Sequence, residues 1–160
     1  MVDTIEGAVG IYLASFVVAM ISGVFPLVNA EIYLVGIVIA SRVSWPAVIV
    51  LAVIIACGQM VSHSVLFHAA RGATKAGSKR REKLEARIAR ARARVAKWGN
   101  KRLALLSTSA TLGLPPFMLT CLAAGALEIR YRTFVAFGLV GRIVRFTSIA
   151  VIAAVSIDAA

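Results

Sequence analysis

The stretch FPLVNAEIYL, residues 25–34, sets Pro26, Asn29 and Glu31 inside a part of the chain that otherwise reads as membrane. Proline has no backbone N–H and its ring collides with the preceding helical turn, so Pro26 interrupts the apolar run that comes before it. The apolar segment beyond it, residues 27–40, is about 14 residues long. At about 1.5 Å per residue it reaches roughly 21 Å, short of a hydrocarbon core of about 30 Å. The expectation is a segment that dips into the bilayer and returns. A carboxylate in such a place costs about 2.5–3.5 kcal/mol on insertion scales, so Glu31 needs a partner, water or a proton.

The rest of the chain supplies the setting. Of 160 residues, 60% are hydrophobic and 16% charged, which is too apolar for an ordinary soluble domain. Apolar runs cover about residues 7–24, 32–40, 46–67, 103–127 and 133–157, and a crossing helix needs about 20 residues. Asp3 and Glu6 precede the first run where a cleavable leader carries basic residues, so that run is expected to stay. Cys57 and Cys121 lie within apolar runs and read as packing residues. His63 and His68 stand five apart, which does not align two metal ligands on one helix face, and they read as interfacial polar residues.

The net charge of +11 is local. Residues 71–102 hold thirteen Lys or Arg against two Glu and carry all of that excess, leaving the remainder nearly neutral. A basic loop beside membrane spans belongs on the cytoplasmic side. Within it Leu84, Ile88, Ala91, Val95 and Trp98 recur at helical spacing, with Arg87, Arg90, Arg94 and Lys97 elsewhere on the helix. This predicts a basic amphipathic helix on anionic headgroups, where each cation is worth about 1 kcal/mol. It interleaves no stacking aromatics apart from Trp98, so nucleic acid is not the expected partner.

The loop constrains the topology. If residues 70–102 are cytoplasmic, the run at 46–67 enters from outside and Arg42 and Trp45 lie at the outer face. The second half repeats the pattern. Gly113, Pro115 and Pro116 break residues 103–127, and if that segment also dips and returns, Arg130 and Arg132 stay in the cytoplasm, as the positive-inside rule prefers. The expected fold is an all-α integral membrane protein: an inverted repeat of two re-entrant broken helices, each followed by a transmembrane helix, plus the basic cytoplasmic helix. It forms one membrane domain, with a first half at 1–69, a linker at 70–102 and a second half at 103–160. Irregular backbone at membrane depth is tolerated where it lines a cavity or is buried in protein, a recurring transporter plan.

The candidate site joins Glu31 and Asn29 to Arg142 and Arg145, which stand three apart in LVGRIVRF and share a helix face. Such a basic pair suits either the carboxylate or a phosphate headgroup. Gly36, Gly125, Gly138 and Gly141 are candidates for close helix packing. No nucleophile with an orienting base, no phosphate-cradling glycine loop and no metal cluster is visible, so neither an enzyme nor a cofactor nor a metal is expected.

Three blocks, FPLVNAE at 25–31, TLGLPPFMLTCLAAG at 111–125 and YRTFVAFGLVGRIVRF at 131–146, make the chain resemble the DedA superfamily, also called the VTT or SNARE-associated family, and within it the short YqaA-like proteins. The resemblance implies a multi-pass protein of the bacterial cytoplasmic (inner) membrane with two opposed re-entrant segments. It implies movement of an anionic lipid between leaflets, of phospholipid or undecaprenyl phosphate type, and dependence on the proton motive force. Glu31 matches the family's acidic residue after the first break. Longer members have Pro-Gly-Glu where this chain has Asn29, Ala30 and Glu31, and they have arginines flanking the second break where residues 112–120 have none. Arg142 and Arg145 are the substitutes this sequence offers. Two other functions fit the same residues: proton-coupled export of small cations, and a non-transporting membrane assembly protein working through its basic helix. With so few helices to enclose a pathway, a homodimer or larger assembly is expected. Membrane lipids with anionic headgroups, and protons, are the expected partners.

Overall fold

Apolar sequence without water must satisfy its backbone within each segment, and a helix does so. The computed structural model describes residues 5–25, 27–41, 44–73, 101–114 and 116–158. Its elements are α1 (Ile5–Val24), α2 (Ala30–Ser41), α3 (Trp45–Ala73), α4 (Lys101–Leu112), α5 (Phe117–Ala126) and α6 (Tyr131–Asp158). Among the described residues there is no strand. Pro26, Arg42, Pro115 and the expected surface helix with Arg87, Arg90, Arg94, Lys97 and Trp98 lie outside the described residues.

Among the described residues two helices are long and apolar enough to cross a membrane: α3, with 29 residues, and α6, apolar over Tyr131–Ser156. At about 1.5 Å per residue α3 extends roughly 43 Å, beyond a core of about 30 Å. By contrast α2, α4 and α5 have 12, 12 and 10 residues. Both interrupted runs of the sequence therefore fold as helix, break, helix.

Each break has a local cause. After α1, the N–H of Val28 turns back to the carbonyl of Phe25 at 3.1 Å. Asn29 then starts α2: its Oδ1 accepts the N–H of Glu31 at 2.8 Å and of Ile32 at 3.4 Å, satisfying two donors that a helix start leaves without partners. The second break uses backbone geometry instead. Gly113 closes α4 at φ 77, a left-handed conformation that glycine adopts without a Cβ penalty, and its N–H reaches the carbonyl of Ser109 at 3.0 Å. Pro116 precedes α5, and its carbonyl accepts the N–H groups of Leu119 and Thr120.

The helices pack as two compact units. One takes the residues up to Ser62 together with those from Arg142 onward; the other is His63–Gly141. In the first unit glycine sets how closely α1 and α3 approach. A Cβ on Gly58 would stand 2.6 Å from the Phe16 carbonyl oxygen and 2.9 Å from Cβ of Ala19, and one on Gly23 would strike the Ser62 hydroxyl. Leu34, Val38, Leu51, Ile55 and Phe146 are fully buried there.

The second unit centres on rings. Phe67 stacks on Phe134 with centroids 4.7 Å apart, and His63 meets Phe117 edge-on at 5.1 Å. His68 is exposed and sits against Phe67 and Tyr131. Gly125 lies under the Phe67 carbonyl and Gly141 against Ala110, while Ser109 and Thr120 share a buried hydrogen bond of 2.8 Å. Cys121 is buried and Cys57 half-buried.

The outward faces are apolar. Val9, Leu13, Val17 and Ile21 repeat every fourth residue on the exposed side of α1, and Val140, Val144, Ile152 and Val155 are exposed on α6. Hydroxyl groups on these helices turn inward to the backbone, as in Ser15 to Ile11, Thr111 to Ser107 and Ser148 to Val144, each to the carbonyl four residues earlier. That lets polar side chains sit in helices whose surroundings offer no water.

Candidate functional site

Within the first unit an acid and two bases come from distant parts of the sequence. Asn29 caps α2, so Glu31 falls in its first turn, where the N-terminal end of the helix dipole favours a negative charge. Arg145 of α6 reaches it: Nε lies 2.7 Å and an Nη 2.5 Å from the same carboxylate oxygen, Oε1. The side chains retain 21% exposure for Arg145 and 35% for Glu31, so the pair is open on one side rather than sealed in the core. A charge-assisted pair in low dielectric is strong, and each member compensates what the other costs to bury.

Arg142, one turn earlier, goes elsewhere. Its guanidinium donates to Oε1 of Gln59 on α3 and lies over the Phe146 ring, 5.9 Å from its centroid. Gln59 is 7% exposed, and its Nε2 donates to Ser22 Oγ on α1 at 2.7 Å. Ser22 in turn donates to the carbonyl of Ala19 at 2.8 Å, and Ser62 donates to the Gln59 carbonyl at 3.0 Å. Arginine carries only donors, so the amide oxygen must face it and the amide nitrogen must face the serine.

The expected grouping of Glu31 with the two arginines thus divides in two: Glu31 with Arg145, and Arg142 with Gln59. Asn29 spends its side-chain oxygen on the start of α2 and acts on the site through Glu31. Gly36 is exposed with open space around it, and Gly138 is buried; the close approaches fall at Gly23, Gly58, Gly125 and Gly141. Pro116 serves at the start of α5. Sequence reasoning missed Gln59 and Ser22. The available signal was an amide in the middle of the longest uninterrupted apolar run, directly after Gly58.

Among the described residues the chain is all-α, with two helices long and apolar enough to cross a membrane, two broken apolar runs and, in the first unit, an ion pair. The model of the VTT domain matches residues 25–155, and the chain belongs to this family, the DedA or SNARE-associated proteins, which is membrane-associated. The chain matches no curated protein and no solved structure.

Proposed function

We propose that this protein moves an anionic lipid, of phospholipid or undecaprenyl phosphate type, between the leaflets of a bacterial inner membrane. The observation that carries the reading is the partly open Glu31–Arg145 pair with Arg142 one turn away. Guanidinium groups suit phosphate oxygens, and an arginine already held by a carboxylate can exchange one anion for another. A proton on Glu31 would release Arg145 to a headgroup, and its loss would restore the pair, which couples lipid movement to protons. In this reading α3 and α6 cross the bilayer, while the short apolar segment at 27–40 and the broken segment at 103–127 are re-entrant with opposite orientations, each followed by a crossing helix as half of an inverted repeat. The basic segment at 70–102 lies at the cytoplasmic face on anionic headgroups, and the working unit is a homodimer or larger. The engaged state of Glu31 favours an anion over a small cation as cargo, since a cation would have to displace Arg145.

The test is leaflet exchange of fluorescent phosphatidylglycerol in liposomes holding equal, verified amounts of purified protein. Wild type should exchange lipid faster than protein-free liposomes, and Glu31→Gln, Arg142→Gln and Arg145→Gln should each lose about tenfold or more, the worth of a charge-assisted contact. No acceleration by wild type, with or without a proton gradient, overturns the reading. Cation-driven proton flux in the same liposomes would then assign the site to export.

A further inference from the structure

The pair of arginines is held in two different ways, and the difference falls on one side chain. Arg145 is held by a carboxylate and Arg142 by the neutral amide of Gln59. The geometry points to Gln59 as the positioning residue of Arg142, fixing its guanidinium without adding a formal negative charge to it and so setting a preference for anionic over zwitterionic headgroups. This rests on the reading of the site as a lipid headgroup site.

Burying an amide without partners is costly, so a glutamine inside an apolar helix must be matched at both ends. Gln59 is. Its donors and acceptors run in one direction, from Arg142 to Gln59 to Ser22 to the Ala19 carbonyl, and no group in that sequence has to play both parts against its chemistry. The relay is anchored by backbone: Gly58 precedes Gln59, Gly23 follows Ser22, and a side chain at either glycine would push α1 and α3 apart. The amide is therefore delivered to Arg142 by a close contact of α1 and α3. A carboxylate at the same place would make an equally good hydrogen bond but would also add a full charge, which in a low-dielectric site competes directly with an incoming phosphate.

A nearly isosteric replacement separates position from charge. In Gln59→Glu the ionised side chain keeps the acceptor for Arg142 and adds a charge. Once protonated, its carbonyl oxygen accepts from Arg142 and its O–H donates to Ser22, the same pattern as the amide. Exchange is measured for fluorescent phosphatidylglycerol and phosphatidylcholine in liposomes from about pH 8 to about pH 5, each rate divided by that of wild type at the same pH. That ratio removes the pH dependence that both proteins share. Gln59→Glu should lose phosphatidylglycerol exchange about tenfold at the alkaline end, regain it as pH falls, and change phosphatidylcholine exchange less than twofold. Gln59→Met, of similar volume but without the relay, should lose phosphatidylglycerol exchange at every pH. Thermal unfolding in detergent confirms that both variants fold. A flat pH ratio for Gln59→Glu, or equal losses for the two lipids, overturns the assignment. If Arg142→Gln abolishes exchange while both Gln59 variants behave as wild type, the positioning role fails and the headgroup site stands; if wild type moves no lipid, both fall.

Discussion

The two helix breaks solve one backbone problem with different chemistry. At the first, between α1 and α2, a side chain does the capping and the next turn carries a charge: Asn29 starts the helix and Glu31 pairs with Arg145. At the second, between α4 and α5, the backbone turns through left-handed Gly113 and the carbonyl of Pro116, and the buried polar contact is between two hydroxyls, Ser109 and Thr120. Residues 112–120 contain no charged side chain. Among the described residues the ion pair therefore stands at the first break, and the second rests on shape and on neutral contacts. Any transport chemistry must be sought at the first.

The sharpest way to break that comparison is a pair of double-mutant cycles read by reversible unfolding in mixed micelles. Glu31→Gln with Arg145→Gln should show a coupling of about 1–2 kcal/mol, reduced from that of a sealed pair because both side chains retain exposure to screening. Ser109→Ala with Thr120→Val should show about 0.5–1 kcal/mol, the ordinary net worth of a neutral hydrogen bond. Equal couplings, or a larger one at the hydroxyls, would remove the distinction between the breaks.

The caps themselves offer a second comparison of similar size. Gly113→Ala forces a Cβ into the left-handed region and should cost about 1–2 kcal/mol. Asn29→Ala should cost about 1 kcal/mol, whereas Asn29→Gly should cost only a few tenths. Thermal unfolding of the three variants ranks them. If Asn29→Gly proved as damaging as Gly113→Ala, Asn29 would have to be doing more than capping, and its side chain would return as a candidate part of the site.

Legibility in the sequence divides along the same line, between local and non-local causes. The breaks were legible, because proline and glycine in an apolar run act on their own neighbours, as Gly113 and Pro116 do at the second break. The long apolar helices were legible for the same reason, as were the two arginines of the last helix as candidate partners for Glu31. Which arginine it takes was not, since three-residue spacing puts Arg142 and Arg145 on one face and leaves the choice to how α2 and α6 meet. Gln59 was hidden because an isolated amide in an apolar run carries no pattern of its own; its role exists only once α1 and α3 approach. Glycine illustrates both sides. Gly125 and Gly141 sit where helices touch, while Gly36, equally placed in an apolar helix, stands in open space.

A last substitution tests whether the second unit's reliance on backbone geometry is complete. At the end of α5 the N–H of Ile129 reaches the carbonyl of Ala124 and that of Glu128 the carbonyl of Gly125, the paired bonds that close a helix through one left-handed residue. That residue is Glu128, at φ 56, where glycine is the usual occupant. Both closing bonds are made by the backbone, so they survive any side-chain change. Glu128→Gly removes the Cβ penalty but loosens the unfolded chain, and the strain relieved at this left-handed position exceeds the entropy lost, for a net gain of about 0.5–1 kcal/mol. A rise in the thermal midpoint is the expected reading. A fall would mean that the glutamate side chain contributes more than its backbone costs, and the second half would then hold a polar contact comparable in weight to the cap at Asn29.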